Sequence, residues 1–308
     1  MTPRQRIDTF LFIAALTLGA AHTQALPQLE RVSDRPCRAI ALDREPYVAA
    51  LGDDAVTVFD KRGTHQETLP EALRGPGVDV GIFFGRDYRV RIAGTAHGAT
   101  PKQRDEVRYY RSLPGGIKSA LDELGPLGKA GGPGLVALLG TADPEIVCRI
   151  GESCLLKRVS GWAKASAPAG LTRVGLSLGT GWAIAGKSLY TLGKDWQALP
   201  AEGPWRKADD AFVRGAAACV VERDASKLHH FDGKAWHSST APVAGPRSVW
   251  GSEESLWLGG DGGAAVFEDG AFRKLDGALH VAQVLGRAAN DVWLCAAEGV
   301  FRARGASP

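Results

Sequence analysis

The sequence predicts an all-β chain assembled from one repeated unit, and three observations carry that prediction. Glycine supplies 39 of the 308 residues, well above its usual share of roughly 7%; with no Gly-X-Y period, this excludes collagen and points to many turns. Runs of four to six β-prone residues recur about every ten residues, as in Ser255-Leu256-Trp257-Leu258-Gly259 and Asp291-Val292-Trp293-Leu294-Cys295. That spacing signals strands joined by turns, not βαβ units. Four such runs make a unit of about 35–45 residues, the size of one propeller blade. Hydrophobic content of 44% and charged content of 23% are those of a globular chain and exclude global disorder. A formal charge of +3 is too small to argue for nucleic acid as the partner.

Residues 1–25 read as a secretory signal peptide. Arg4 and Arg6 give the positive start, Phe10 to Ala21 the apolar run, and Thr23-Gln24-Ala25 the small residues of a cleavage site. The run is shorter than the ~20 residues a permanent membrane helix needs; an uncleaved N-terminal anchor is the alternative. The mature chain is expected in the periplasm, at the cell surface or secreted.

The rest, 26–308, reads as a single domain. Its blades fall at about 37–70, 77–122, 134–167, 171–200, 210–240, 246–276 and 281–303. The residue opening the fourth strand tracks backwards as Phe272, Trp236, Trp196, Trp162, Ile117 and His65. Another step back lands on Leu29, and the segment after Val281 supplies only three strands. Because a closed ring leaves no edge strand to pair wrongly, residues 27–33 are expected to complete the last blade. The expectation is a seven-bladed β-propeller of four-stranded antiparallel blades closed by the N-terminal strand. Six or eight blades are the alternatives if 75–125 is misread, and a short helix at 117–124 is the alternative to a strand there.

In such a ring, the loops between second and third strands share one face with the links between blades. Two long loops are expected on that face, 94–106 and 124–134, and long loops on a rigid scaffold are where recognition resides. Residues 86–118 hold eight Lys and Arg against three acids. His97, Lys102, Arg104, Arg108 and Arg111 are therefore the candidate binding residues, for a protein or an anionic polysaccharide. The competing reading is a solvated blade edge that guards against edge-to-edge pairing.

An exported chain can hold disulfides, and all five Cys lie beyond the signal peptide. A turn at Gly151-Glu152-Ser153 would set Cys148 and Cys154 face to face across a hairpin, at the spacing a disulfide needs; two buried thiols are the alternative. Cys37, Cys219 and Cys295 have no sequence neighbour to pair with. The scattered histidines show no metal-ligand spacing, and no nucleophile elbow or phosphate loop occurs. No metal and no cofactor is expected, and no catalytic residue is assigned. The recurring Trp residues read as core between blades.

Ser255 to Gly263 followed by Phe267-Glu268-Asp269-Gly270, together with Asp291-Val292-Trp293-Leu294 and His230-Phe231-Asp232-Gly233-Lys234-Ala235-Trp236, resembles the repeats of secreted bacterial propellers of the two-component-regulator periplasmic type. The resemblance covers about residues 170–303. It implies a seven-bladed ring that binds ligands or proteins outside the cytoplasm, as a monomer or within an envelope complex. The expected function is an exported non-enzymatic binding or scaffold module. An exported lyase or hydrolase with a site in the channel is the alternative.

Overall fold

The computed structural model describes residues 26–74, 78–84, 89–96, 106–120, 135–139, 146–149, 153–158, 161–268, 270–277 and 279–304. In several strands between 78 and 164 it describes the backbone alone. The expected signal peptide at 1–25 and the 124–134 loop lie outside these residues, as do positions 97–105.

The described chain opens with β1 (Gln28–Ser33). β2 (Ala39–Leu42), β3 (Val48–Leu51), β4 (Ala55–Asp60) and β5 (Gly63–Thr68) form the next sheet. After a 3₁₀ turn at Glu71–Leu73 come β6 (Val78–Phe84), β7 (Val90–Ala96), β8 (Glu106–Leu113) and β9 (Gly116–Ser119). β10 (Leu135–Leu139), β11 (Ile146–Arg149), β12 (Ser153–Arg158) and β13 (Gly161–Ser166) make a further sheet. β14 (Leu171–Ser177), β15 (Thr180–Ala185), β16 (Ser188–Leu192) and β17 (Trp196–Ala198) follow. Then come β18 (Asp210–Arg214), β19 (Ala217–Glu222), β20 (Lys227–Phe231) and β21 (Trp236–Thr240). β22 (Pro246–Gly251), β23 (Leu256–Gly260), β24 (Gly263–Glu268) and β25 (Ala271–Lys274) precede β26 (Val281–Ala288), β27 (Asp291–Ala296) and β28 (Gly299–Arg304). Each sheet is a four-stranded antiparallel meander, and β1 is the fourth strand beside β28, running from Gln28 opposite Arg304 to Ser33 opposite Val300.

The first strands of neighbouring sheets touch in the order β2, β6, β10, β14, β18, β22, β26, and β26 touches β2. Each sheet is thus covered on both faces near the axis. Strands so covered need no polar alternation, which is why β3, β23 and β27 are buried at every position. The fourth strands face water instead: β21 is exposed along its length after Trp236. Ile117, Trp162, Trp196, Trp236 and Phe272 each lie on the fourth strand of their sheet, as does His65 on β5. The segment considered for a short helix is strand over Gly116–Ser119; positions 121–124 lie outside the described residues.

Each core cluster lies between two neighbouring sheets. Trp182, Ile184, Trp205, Val213 and Phe231 fill one such gap, between the β14–β17 and β18–β21 sheets. Ile40, Val48, Phe59, Trp293 and Cys295 fill another, between the last and first sheets.

That last junction carries a bond whose partners stand far apart in the sequence. Cys37 and Cys295 form a disulfide with a Cα–Cα distance of 5.1 Å across a separation of 258 residues, within the usual span for a bridge. At the opposite end of β26, Arg287 donates to the carbonyls of Asp43 and of Tyr47, the latter at 2.7 Å. Its guanidinium also meets Asp291 at 2.6 Å, and Asp291 takes Arg302 at 2.8 Å and the Trp293 indole N–H at 2.9 Å. Burial pushes the Asp291 carboxyl up, but the two arginines outweigh it and hold the group below its ordinary range. Cys219 is a buried free thiol, pushed up to about 12 by its burial. Cys154 is disulfide-bonded, and the β11–β12 register sets Cys148 directly opposite it.

Candidate functional site

The meander fixes which groups share a face. A first strand begins at the same end of its sheet as the connection between the second and third strands. The beginnings of β2, β14, β18 and β26 therefore surround one mouth of the axial channel, here the upper mouth. Channel and mouths form a cavity of about 800 Å³ whose wall includes Arg38, Arg173, Asp209, Asp210 and Gln283 towards the upper end.

A single side-chain position does structural work along this wall. Asp210 Oδ2 on β18 accepts the N–H of Val249 on β22 at 2.9 Å. Ser248 Oγ on β22 accepts the N–H of Val284 on β26 at 3.1 Å. Gln283 Oε1 on β26 accepts the N–H of Ile40 on β2 at 2.8 Å. Asp210, Ser248 and Gln283 precede Ala211, Val249 and Val284 in the same repeat position, and each takes the donor that the next first strand turns towards it. Unpaired, such a buried N–H would cost about 1–3 kcal/mol. Asp210 also receives the Ser248 hydroxyl at 2.9 Å and its neighbour's N–H, from Ala211, at 2.8 Å. Burial nevertheless dominates and pushes Asp210 up to about 6, against those hydrogen bonds and the Arg173 charge.

On β14 this same position is Arg173, before Val174. A guanidinium has five donors and no acceptor, so it cannot perform the latch. The Ala211 N–H that it would serve is taken by Asp210 itself. Arg173 is exposed in the channel wall and makes no hydrogen bond or ion pair among the described residues; its charge acts on the Asp210 carboxyl. By contrast Arg38 is occupied with the carbonyl of Gly52 at 3.0 Å and with Asp53 at 3.5 Å.

Below the latches the wall is aromatic. Phe212 lies against Gly251 of the next first strand, where a β-carbon would meet its ring at 2.7 Å; Trp250 lies likewise against Gly286, at 2.5 Å. These glycines are required for close approach of a ring to the backbone. Trp182 covers Gly175 of its own sheet: a β-carbon there would meet Cζ2 at 1.8 Å and Cε2 at 2.1 Å. The nitrogen-bearing side of the indole thus rests on β14, two residues from Arg173. Trp182 lines the channel, and its Nε1 is buried without a hydrogen-bond partner.

Of the residues singled out from sequence, His97, Lys102 and Arg104 lie outside the described residues. The connection they belong to is 97–105, because β7 continues to Ala96 and β8 begins at Glu106. Arg108 is on β8 opposite Gly94 of β7. Arg111 is half-buried on β8, in register with Arg91 on one side and Lys118 on the other. The patch is therefore partly a cross-strand row and not a loop alone. Among the described residues, no three His, Cys, Asp or Glu side chains meet as a metal site.

One polar chain escaped the sequence reading. Buried His229 meets Ser238 Oγ through Nδ1 at 2.8 Å and Glu222 Oε2 through Nε2 at 3.2 Å. Glu222 Oε1 takes the N–H groups of Arg206 and Lys207 at 2.9 and 3.2 Å. Burial pushes Glu222 up, but these partners outweigh it and hold the carboxyl low. The chain clasps the connection between β17 and β18 to the sheet below it. Arg173 and Asp210 were also missed: their column in the first strands reads Arg, Asp, Ser, Gln and, on β2, Ala, a mixture that shows no shared role without the backbone partners.

No family model matches the chain, and no curated protein sequence matches it. Solved structures do. A streptogramin B lyase aligns with a TM-score of 0.66 and 12% identity, over 93% of this chain and 100% of the other. YCF48 bound to a D1 peptide gives 0.64 and 12%, over 94% and 100%. The extracellular domain of the one-component system BT4673 from B. thetaiotaomicron gives 0.54 and 9%, over 94% of this chain and 44% of that one. At these identities the likeness concerns fold alone. Together with the circular succession of four-stranded sheets, it establishes that the chain has the β-propeller fold.

Proposed function

We propose that the chain is an exported seven-bladed propeller, closed by its N-terminal strand, that serves as a binding module. In this reading residues 1–25 direct export, Cys148 and Cys154 form a second disulfide, and the mature monomer engages a protein partner with an acidic surface through its upper face. The Cys37–Cys295 bridge supports export, because such bonds persist in oxidising compartments. Solved propellers of similar shape include one with a bound peptide, and others that are extracellular domains or a bacterial surface component.

One observation carries the choice of face. The connection between β7 and β8 spans nine residues, 97–105, whereas the corresponding connections of the other sheets span two to four. It leaves from the upper end and contains Lys102 and Arg104; Arg108 follows on β8. Affinity capture from the native envelope tests this. Charge reversal at Lys102, Arg104 and Arg108 to Glu is expected to abolish recovery of a partner that the unaltered chain retains. Equal recovery by both rejects the face. N-terminal sequencing of the exported chain is expected to begin at Leu26.

A further inference from the structure

We infer that the upper channel mouth is a binding site for a free carboxylate carried on an apolar body, held by Arg173 and Trp182. This goes beyond the loop-borne contact proposed above and rests on different residues, so either can fail alone.

Two independent features converge. The first is Arg173. At its repeat position Asp210, Ser248 and Gln283 each satisfy a neighbouring backbone N–H; Ala39 on β2 offers no polar group there, and Arg173 brings donors only. Its charge serves no hydrogen bond among the described residues, yet it stands exposed in the wall of a cavity of about 800 Å³. The second is Trp182, whose indole N–H is buried with no acceptor. Buried donors are almost always paired, so an orphan asks for an explanation.

Both groups are donors only, both residues line one cavity, Arg173 exposed and the Trp182 N–H buried just behind the wall, and both stand on the same pair of strands. Trp182 sits opposite Gly175 in register, and Gly175 presents the same strand face as Arg173. The complementary ligand must bring acceptors and negative charge. A planar carboxylate matches a guanidinium in a way that a neutral carbonyl does not. Below these donors, Phe212, Trp250 and Leu285 supply apolar wall, as in a small-molecule site with a few placed polar groups. That wall selects an acid with a hydrocarbon or aromatic body over a bare anion.

The test uses 4-phenylbutyrate and its neutral amide, with titration calorimetry and tryptophan fluorescence on the mature chain. The acid is expected to bind with a Kd below 1 mM, at least tenfold tighter than the amide. Arg173→Gln is expected to weaken it at least tenfold, and Trp182→Phe several-fold. Acetyl-Ala-Phe with a free C-terminus, compared with its amide, gives the second arm. Tighter binding of the peptide acid than of phenylbutyrate assigns the site to chain termini; the reverse assigns it to small organic acids. No binding of either acid at 10 mM overturns the proposal. So does equal binding of acid and amide, or undiminished binding by Arg173→Gln. A fall in Tm above 5 °C for Arg173→Gln would show that the guanidinium is structural and would also overturn it.

Discussion

Two junctions between neighbouring sheets solve the same packing problem with unequal means. Where the last sheet meets the first, the chain's distant ends must be brought together, and closing so long a loop costs entropy. Four separate devices hold this junction: the β1–β28 ladder, the Cys37–Cys295 bridge, the Gln283 latch, and the Arg287 and Arg302 clasp. Where β14 meets β18, the chain runs on continuously and no closure is needed. There the latch position holds Arg173, which latches nothing; Ser177 Oγ at the end of β14 instead accepts the Val213 N–H at 3.1 Å, beside the apolar gap around Trp182, Trp205 and Val213. The closing junction thus carries more separate ties than the continuous one, and at the continuous one the Arg173 wall position is released from latching.

The largest effect is expected from removing residues 26–34. Strand β28 would then present an open edge, and Leu29, packed beside the Trp250 and Phe301 cluster, would be lost. A fall in Tm above 15 °C, or failure to fold, is expected in thermal melts monitored by circular dichroism; an unchanged melt would show that the ring does not depend on β1. Next comes the paired substitution of Cys37 and Cys295 to Ser. A bridge across so many residues stabilises by about 3–5 kcal/mol where chain entropy dominates, which corresponds to a Tm lowered by about 6–15 °C. Cys219→Ser, by contrast, should shift Tm by less than about 3 °C, since that thiol is buried but bridged to nothing. Thiol titration of the denatured, unreduced chain is expected to find one free thiol, and finding three would reject the Cys148–Cys154 bridge.

The legible part of this fold is the part whose residues repeat. Trp162, Trp196, Trp236 and Phe272 mark the fourth strands because an aromatic residue recurs near their starts, while β5 and β9 carry His65 and Ile117 at that place. The β23 and β27 strands stand out as apolar runs because neighbouring sheets cover both their faces. Leu29 could be reached by stepping back one period. The Cys37–Cys295 bridge was not legible, because sequence distance says nothing about which sheets closure brings side by side. Arg173 was hidden for a different reason. Its meaning lies in what Asp210, Ser248 and Gln283 do at the same position, and only their backbone partners reveal that this column is a latch. The basic region was visible as charge, but its division between a connection and the Arg91–Arg111–Lys118 row depends on strand register.

Asp210 offers a pH test of the released junction. Its folded-state value of about 6 stands above the ordinary 3.8, so the native chain binds that proton more tightly than the unfolded chain. The contribution is therefore fully present below about pH 4 and is lost as pH rises through about 6. The full shift would correspond to about 3 kcal/mol; the side chain keeps some contact with water, so about 1–2 kcal/mol is expected. Asp210→Asn should flatten the urea-unfolding free energy between pH 4 and 6 relative to the unaltered chain. An identical pH slope in both would show that Asp210 is solvated as an ordinary carboxylate.

The smallest effects give the sharpest contrast. Gln283→Ala removes the acceptor from the Ile40 N–H and should destabilise by about 1–2 kcal/mol, the cost of leaving one buried donor unpaired. Arg173→Gln changes the same repeat position on another sheet, yet it should alter stability by less than about 0.5 kcal/mol, because Ala211 already has its acceptor in Asp210 and the guanidinium binds nothing in the fold. Urea titrations of the two variants compare one column of the repeat at two junctions. Equal losses would mean that Arg173 bears structural load after all. A loss confined to Gln283→Ala would show that the column is a latch wherever the ring must be held, and that at β14 its side chain faces the channel for reasons the fold itself does not supply.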